Sequence, residues 1–359
     1  MIVNKKSMSI ENLCIPPEFQ QNIPTLFFDI ETTGLYWKRS HLYLIGAACL
    51  EGDTLHLTQY LAQKPAEEEE ILQEFYTLAA GFQRIVHYNG EGFDLPYLKH
   101  KAAFYEMEIR LDNLESVDLF RCIRPLKKLM NFSQMKQKDV ENFMGYQRED
   151  PFSGGELIEV YQEYLRTADE RLLKCLLLHN AEDIEGMVRI LPILNYLRVM
   201  EGSVKLQSAE LTDSGEHGCL ALEFSYESPA LPREIKAEEP PYRLLLTPSS
   251  GRLETDLEQG VRKLFYPNYK DYFYLPLEDR AVHKSVGIYV DKEYREKAKA
   301  SNCYQNVEGL FLPQPEQLIS PVLIPEYQSR AYCTPFSPDL LDKADLLESY
   351  LREVLKFLS

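Results

Sequence analysis

The chain has 359 residues, enough for two domains of ordinary size and a substantial core. Its 39 Lys and Arg against 56 Asp and Glu give a net charge of -17, which argues against a surface coated in basic residues for nucleic-acid binding but leaves room for a local basic groove. No stretch approaches 18 consecutive apolar residues, so a membrane-spanning helix is not expected, and the seven cysteines are scattered, odd in number and never in a C-x-x-C pair. Such spacing reads as free thiols of a soluble cytoplasmic protein rather than as a disulfide framework or a zinc site.

Residues 1–23 are polar and punctuated by Pro16 and Pro17, and read as a leader packed over the first strand. Thr25 to Ile30 is that strand. It continues as Asp29-Ile30-Glu31-Thr32-Thr33-Gly34, so that Asp29 and Glu31 share one face while Phe28 and Ile30 pack behind them. Carboxylates two apart on a strand, about 6 to 7 Å along the backbone, repel one another unless a cation lies between them. An isolated Asp-Ile-Glu is equally a half-buried edge strand with a solvated acidic face.

Leu42 to Leu50 and Thr54 to Tyr60 follow as two more strands around the turn Glu51-Gly52-Asp53. Pro65 and the acidic run Glu67 to Glu70 open a helix with Ile71, Leu72, Phe75 and Leu78 at helical spacing. Arg84 to Tyr88 is a fourth strand, Phe93 to Tyr105 a helix and Glu115 to Leu119 a fifth strand. Helical segments fill Phe120 to Met130, Gln134 to Gly145, Gly155 to Thr167 and Asp169 to Arg198, the last interrupted by Pro192. Beyond Val204 the texture changes to strand pairs: Val204 to Thr212, Cys219 to Tyr226, Tyr242 to Leu246, Phe265 to Leu275 and Val286 to Val290, then an amphipathic helix after Ser337-Pro338. The expected organisation is a leader over 1–23, an α/β domain over 24–200 and a smaller α+β region over 201–359.

Three short patterns carry chemistry. The first is Asp29-x-Glu31. The second, Asn89-Gly90-Glu91-Gly92-Phe93-Asp94, follows the fourth strand; Asp94 alone could be the N-cap of the next helix. The third, His179 and Asp183, lies four apart on one face of a helix. Between Phe120 and Lys138 six basic residues (Arg121, Arg124, Lys127, Lys128, Lys136, Lys138) stand without an acid. They suit a phosphate-tracking groove or a solvated helix face.

In order and spacing the three patterns resemble the exonuclease motifs of the four-carboxylate (DEDD) 3'-5' exonucleases of the ribonuclease-H-like superfamily. The run Arg148-Glu149-Asp150-Pro151-Phe152-Ser153-Gly154-Gly155-Glu156, with Tyr161, Tyr164 and His179-Asn180, is similar more narrowly to the YprB-type branch. The resemblance covers about residues 24 to 198. It implies a ribonuclease-H-like mixed sheet flanked by helices, metal-ligand roles for Asp29, Glu31, Asp94 and Asp183, and a water-orienting role for His179. One departure stands out: the three-residue spacing before Asp183 normally carries tyrosine, so an imidazole occupies the tyrosine position.

The implied activity is metal-dependent hydrolysis of phosphodiester bonds from the 3' end of single-stranded or frayed DNA or RNA. Two divalent cations, Mg2+ or Mn2+, about 3.5 to 4 Å apart suit an in-line phosphoryl displacement, and hard carboxylate oxygens suit those cations. An imidazole with an ordinary pKa of about 6.5 can accept a water proton near neutrality. Thr32, Asn89, Phe93, Arg121, Arg124, Lys127 and Lys128 are the expected nucleic-acid contacts. An endonuclease on the same fold and a non-catalytic nucleic-acid-binding or assembly module remain open, as does the oligomeric state.

Overall fold

The computed structural model describes residues 1–11, 13–20, 23–108, 111–226 and 229–359. They divide into two compact units, Met1–Leu197 with Pro229–Pro232, and Arg198–Ser228 with Arg233–Ser359.

In the first unit the order is β1 (Ile2–Ser9), α1 (Pro17–Gln20), β2 (Thr25–Thr32), β3 (Leu42–Glu51), β4 (Thr54–Leu61), α2 (Glu68–Ala79), β5 (Arg84–His87), α3 (Asp94–Phe104) and β6 (Glu115–Asp118). Four helices follow: α4 (Leu119–Ile123), α5 (Gln137–Met144), α6 (Gly154–Thr167) and α7 (Glu170–Ile190); α8 (Asn195–Met200) lies at the junction with the second unit. The sheet runs β1-β4-β3-β2-β5-β6. The first three pairings are antiparallel, and β2-β5 and β5-β6 are parallel, which makes the mixed ribonuclease-H-like sheet.

Each sheet face has its own core, as a sheet buried on both sides requires. Phe28, Ile30, Ile45 and Ala47 pack with Ile71, Leu72 and Phe75 of α2 and with Leu95 and Leu98 of α3. Tyr43, Leu44 and Leu61 pack on the other face with Leu157, Tyr161 and Tyr164 of α6 and Leu176 of α7. There the Tyr43 and Tyr161 rings stack at 4.1 Å. The alternation along β2 therefore turns Phe28 and Ile30 to α2 and α3, leaving Asp29 and Glu31 to face α7.

Several elements differ from expectation. The leader supplies β1, which pairs with β4 from Ile2↔Leu61 to Ser9↔Thr54 and closes the sheet edge. Its alternation is weak because it is an edge strand, with exposed Lys5 and Lys6 of the kind that keep edges from pairing further. The helix expected to reach Met130 stops at Ile123, and Pro125 sits in a 3-10 turn over Arg124–Lys127, since proline cannot continue the ladder. Pro192 acts likewise in the 3-10 turn Leu191–Leu194.

The second unit is sheet-rich. It contains β7 (Val204–Thr212), β8 (Cys219–Tyr226), β9 (Ile235–Glu239), β10 (Tyr242–Leu246) and β11 (Ser250–Asp256), joined as one antiparallel sheet in the order β7-β8-β11-β10-β9. A second sheet joins β12 (Glu258–Phe265), β16 (Tyr304–Gln314) and β17 (Tyr332–Pro335), and a third joins β13 (Tyr272–Leu275), β14 (Arg280–His283) and β15 (Glu296–Lys297). The expected strand Phe265 to Leu275 is broken by Pro267 and a 3-10 turn at Tyr269–Asp271. Val286 to Val290 is no strand either. His283 accepts from the Ser285 N–H and starts the short helix α9 (Lys284–Gly287). The final helix α10 (Ala344–Leu358) buries Leu347, Tyr350, Leu351, Val354, Leu355 and Leu358.

Candidate active site

The site forms where β2 outruns its parallel neighbour. Pairing between β2 and β5 covers only Thr25 to Phe27, so Asp29 and Glu31 project beyond the end of β5. A register shift in the β2-β3 pairing falls between Glu31 and Thr32, and such bulges re-aim side chains. Asp94 enters from the first turn of α3. It is not the helix cap, which is Phe93 without a side-chain bond. Instead the backbone N–H groups of Asp94 itself and of Ile30 favour the charged form of the Asp94 carboxyl.

From the other side comes α7. His179 Nε2 lies 3.2 Å from Asp183 Oδ2 and 3.5 Å from Glu31 Oε1. One ligand atom from each of these three residues falls within 4.8 Å of the others. Asn180, one residue on, donates to Asp29 Oδ2 at 3.1 Å and accepts from Gln59 Nε2 at 2.9 Å. That path exists because residue 46, opposite Asp29 in the β3 register, is glycine. A Cβ there would overlap Asn180 Oδ1 and Ile184 Cδ1.

Charge accumulates without matching compensation. Burial holds the Asp29 and Glu31 carboxyls well above the ordinary carboxylate range, and the negative charges of Asp183 and Asp94 push both in the same direction. Burial pushes Asp94 up to about 7, with Asp118 and Asp183 adding to the effect. Tyr43 Oη donates toward Glu31 Oε2 across 3.5 Å from behind.

The residues expected to contact nucleic acid have unequal surroundings. Thr32 Oγ1 donates to the Gly34 carbonyl and shapes the turn after β2. Asn89 adopts a left-handed φ of 59°, exposes its side chain and donates its N–H to buried Asp118 Oδ1, which also takes the Phe120 N–H. Phe93 is half-buried and packs on Tyr97, within the core under α3. Arg121 pairs with Glu91 of the second pattern, while Arg124, Lys127 and Lys128 are exposed. Lys138 donates to the Phe152 carbonyl at 3.0 Å.

Two residues that spacing did not single out for a role also reach the cage. Asp150 Oδ2 is 2.5 Å from His179 Nδ1, and Arg148 Nη1 is 2.6 Å from Asp183 Oδ1. Their signal was present only as part of the run from Arg148 to Glu156, which has no spacing rule that ties it to a helix downstream.

The residues of this site fall within a match to a known family. A family model described as RNase_H superfamily matches residues 26–195. Over 167 residues the chain is 28% identical to the uncharacterized protein YprB of Bacillus subtilis (strain 168), a match covering 46% of this chain and 40% of that protein. The chain thus spans about two fifths of that relative's length. A solved structure, the family B DNA polymerase from the hyperthermophilic archaeon Pyrobaculum calidifontis, is similar over 50% of this chain and 26% of its own, at 16% identity and a TM-score of 0.42. Sheet order and family match together identify residues 26–195 as a ribonuclease-H-like domain.

Proposed function

We propose that the first unit is a metal-dependent 3'-5' exonuclease hydrolysing phosphodiester bonds of single-stranded or frayed nucleic acid. The observation that carries this reading is the meeting of Glu31, His179 and Asp183 within 4.8 Å, with Asp29 and Asp94 acting on the same charge cluster. Carboxyls held this far above their ordinary range suit hard divalent cations such as Mg2+ or Mn2+, because a bound cation removes the repulsion that burial makes costly. Asp29, Glu31, Asp94 and Asp183 would hold two such cations. Bound there, the cations supply Lewis acidity for an in-line phosphoryl displacement.

The chain's own groups do the rest. Asn180 holds the Asp29 carboxylate, and Tyr43 supports Glu31 from behind. His179 presents Nε2 to the cage, where an imidazole can take the proton of an attacking water. Arg124, Lys127 and Lys128, exposed on the segment that follows β6, offer cations to a phosphate backbone.

The test is a set of product ladders in Mn2+ from 3'- and 5'-labelled single- and double-stranded DNA and RNA, with circular single strands alongside. Stepwise loss from the 3' end is expected, with circles resistant and Asp94→Ala inert. Circles cut as fast as linear strands would make the enzyme an endonuclease, and full activity in Asp29→Ala or Asp94→Ala would overturn the assignment.

A further inference from the structure

One loop, residues 147–151, touches both helix-borne groups of the cage. Its Arg148 spreads a guanidinium between two carboxylates: Nε and Nη2 each lie 2.6 Å from an oxygen of buried Glu141, and Nη1 lies 2.6 Å from Asp183 Oδ1. Two residues on, Asp150 Oδ2 lies 2.5 Å from His179 Nδ1. Lys138 Nζ is a more distant neighbour of the same oxygen at 3.7 Å.

The loop is itself pinned to α7. Glu182, between His179 and Asp183, accepts the Glu149 N–H at 2.8 Å and the Asp150 N–H at 2.9 Å. The other Asp150 oxygen accepts the Phe152 N–H at 3.2 Å. Gln137 Nε2 donates to both Glu141 Oε1 and the Asp183 carbonyl, and Gly186 makes room for Glu141, whose Oε1 a Cβ would overlap. His179, Glu182, Asp183 and Gly186 recur at i, i+3, i+4 and i+7, so a single face of α7 receives the whole assembly.

A carboxylate hydrogen-bonded to one imidazole nitrogen places the proton there, as Asp150 does at Nδ1, while Nε2, which lies 3.2 Å from Asp183 and 3.5 Å from Glu31 without a hydrogen bond to either, keeps its lone pair. We propose that the 147–151 loop is the positioning element of the cage: Asp150 fixes His179 as the Nδ1–H tautomer with Nε2 open toward Glu31 and Asp183, and Arg148 holds Asp183 through Oδ1 so that Oδ2 stays beside Nε2. The assignment rests on the hydrolytic reading of the cage. Neither residue touches the reacting atoms in this role. Each acts through the group it holds, and the loss expected from such a partner is about 10- to 100-fold in activity or metal affinity.

The test uses the full chain labelled with 15N-histidine in Mg2+, with the His179 signals assigned by their loss in His179→Gln. Wild type is expected to show a protonated Nδ1 and an unprotonated Nε2. In Asp150→Asn, whose amide can donate to Nδ1, the proton shifts to Nε2, and kcat falls about 10- to 100-fold with KM within about twofold. Asp150→Glu keeps a carboxylate and is expected to restore the Nδ1–H signal and part of kcat. An unchanged tautomer in Asp150→Asn, or equal losses in Asp150→Glu and Asp150→Asn, would overturn the role of Asp150. Calorimetric Mn2+ titration of Arg148→Lys, which cannot span Glu141 and Asp183 together, is expected to show about tenfold weaker binding; wild-type affinity would overturn the role of Arg148. Wild-type protein inert on every substrate would sink the hydrolytic reading, while the imidazole signals would still decide the positioning one.

Discussion

The two walls of the cage are built on opposite principles. On the strand wall, the hydrogen-bond donors to Asp29, Glu31 and Asp94 among the described residues are neutral: the Asn180 amide, the Tyr43 hydroxyl and backbone N–H groups. On the helix wall, Asp183 has the Arg148 guanidinium and His179 has the Asp150 carboxylate. The strand wall stores repulsion that a cation bound there would relieve. The helix wall is already compensated and serves to hold directions. Removing a charge should therefore have opposite consequences for stability on the two sides.

The largest effect on stability belongs to the helix wall. Arg148→Ala leaves Glu141, buried on α5, without its bidentate partner, and breaking a buried pair in this way costs about 3–5 kcal/mol. Urea unfolding should show a loss of that size, whereas Asp29→Asn in metal-free protein should lose nothing or gain. A loss in Asp29→Asn as large as that in Arg148→Ala would erase the distinction between the walls.

Next is the floor between them. Gly46→Ala would drive a methyl into Asn180 and Ile184, an overpacking cost of about 1–3 kcal/mol. It should also loosen Asp29, so cation affinity should fall together with stability. Chemical denaturation and calorimetry on the same variant check both.

The pH dependence sharpens the strand wall further. Asp94, titrating near pH 7 in the folded chain, still holds a proton that the unfolded chain has released above about pH 4. Its contribution to metal-free stability is fully present at low pH and is lost as pH rises through about 7. Tm in EDTA, taken as wild type minus Asp94→Asn, should fall from pH 5 to 8, and this difference cancels the opposite slope of His87, whose burial lowers its pKa. Saturating Mg2+ should flatten the fall, since the cation takes the place of the proton.

How far the molecule could be read from its residues follows the same division. The sheet was legible because β2 to β6 and their intervening helices are local patterns: alternation at Thr54 to Tyr60, helical spacing at Ile71, Leu72 and Phe75, and glycines after β5. Asp29, Glu31, Asp94, His179 and Asp183 stood out by short spacings that a strand or a helix face converts directly into neighbours. Asp150 and Arg148 did not, because their partners lie 29 and 35 positions away and meet them only through the pinning of a loop by Glu182. Gly46 was visible as a glycine in an apolar strand, but its purpose depends on Asn180 arriving from α7. In the second unit, the segment of α9 looked like a strand because Val286, Ile288 and Val290 alternate; Val286 and Ile288 are exposed and Val290 is half-buried, so burial never enforced that pattern.

The smallest effect expected lies outside both walls. Charge reversal at Lys127 and Lys128 should weaken single-strand binding and lower the salt slope by about 0.7 per lost phosphate contact, with cation affinity unchanged. An unaltered slope would return these lysines to an ordinary solvated surface.

The central claim, that unrelieved repulsion on the strand wall makes this a cation site, is tested most directly by calorimetric titration of metal-free protein with Mn2+ at pH 8. The account predicts saturable binding in wild type and its loss in Asp29→Asn and Asp94→Asn. No binding in wild type, or wild-type affinity in both variants, would contradict it.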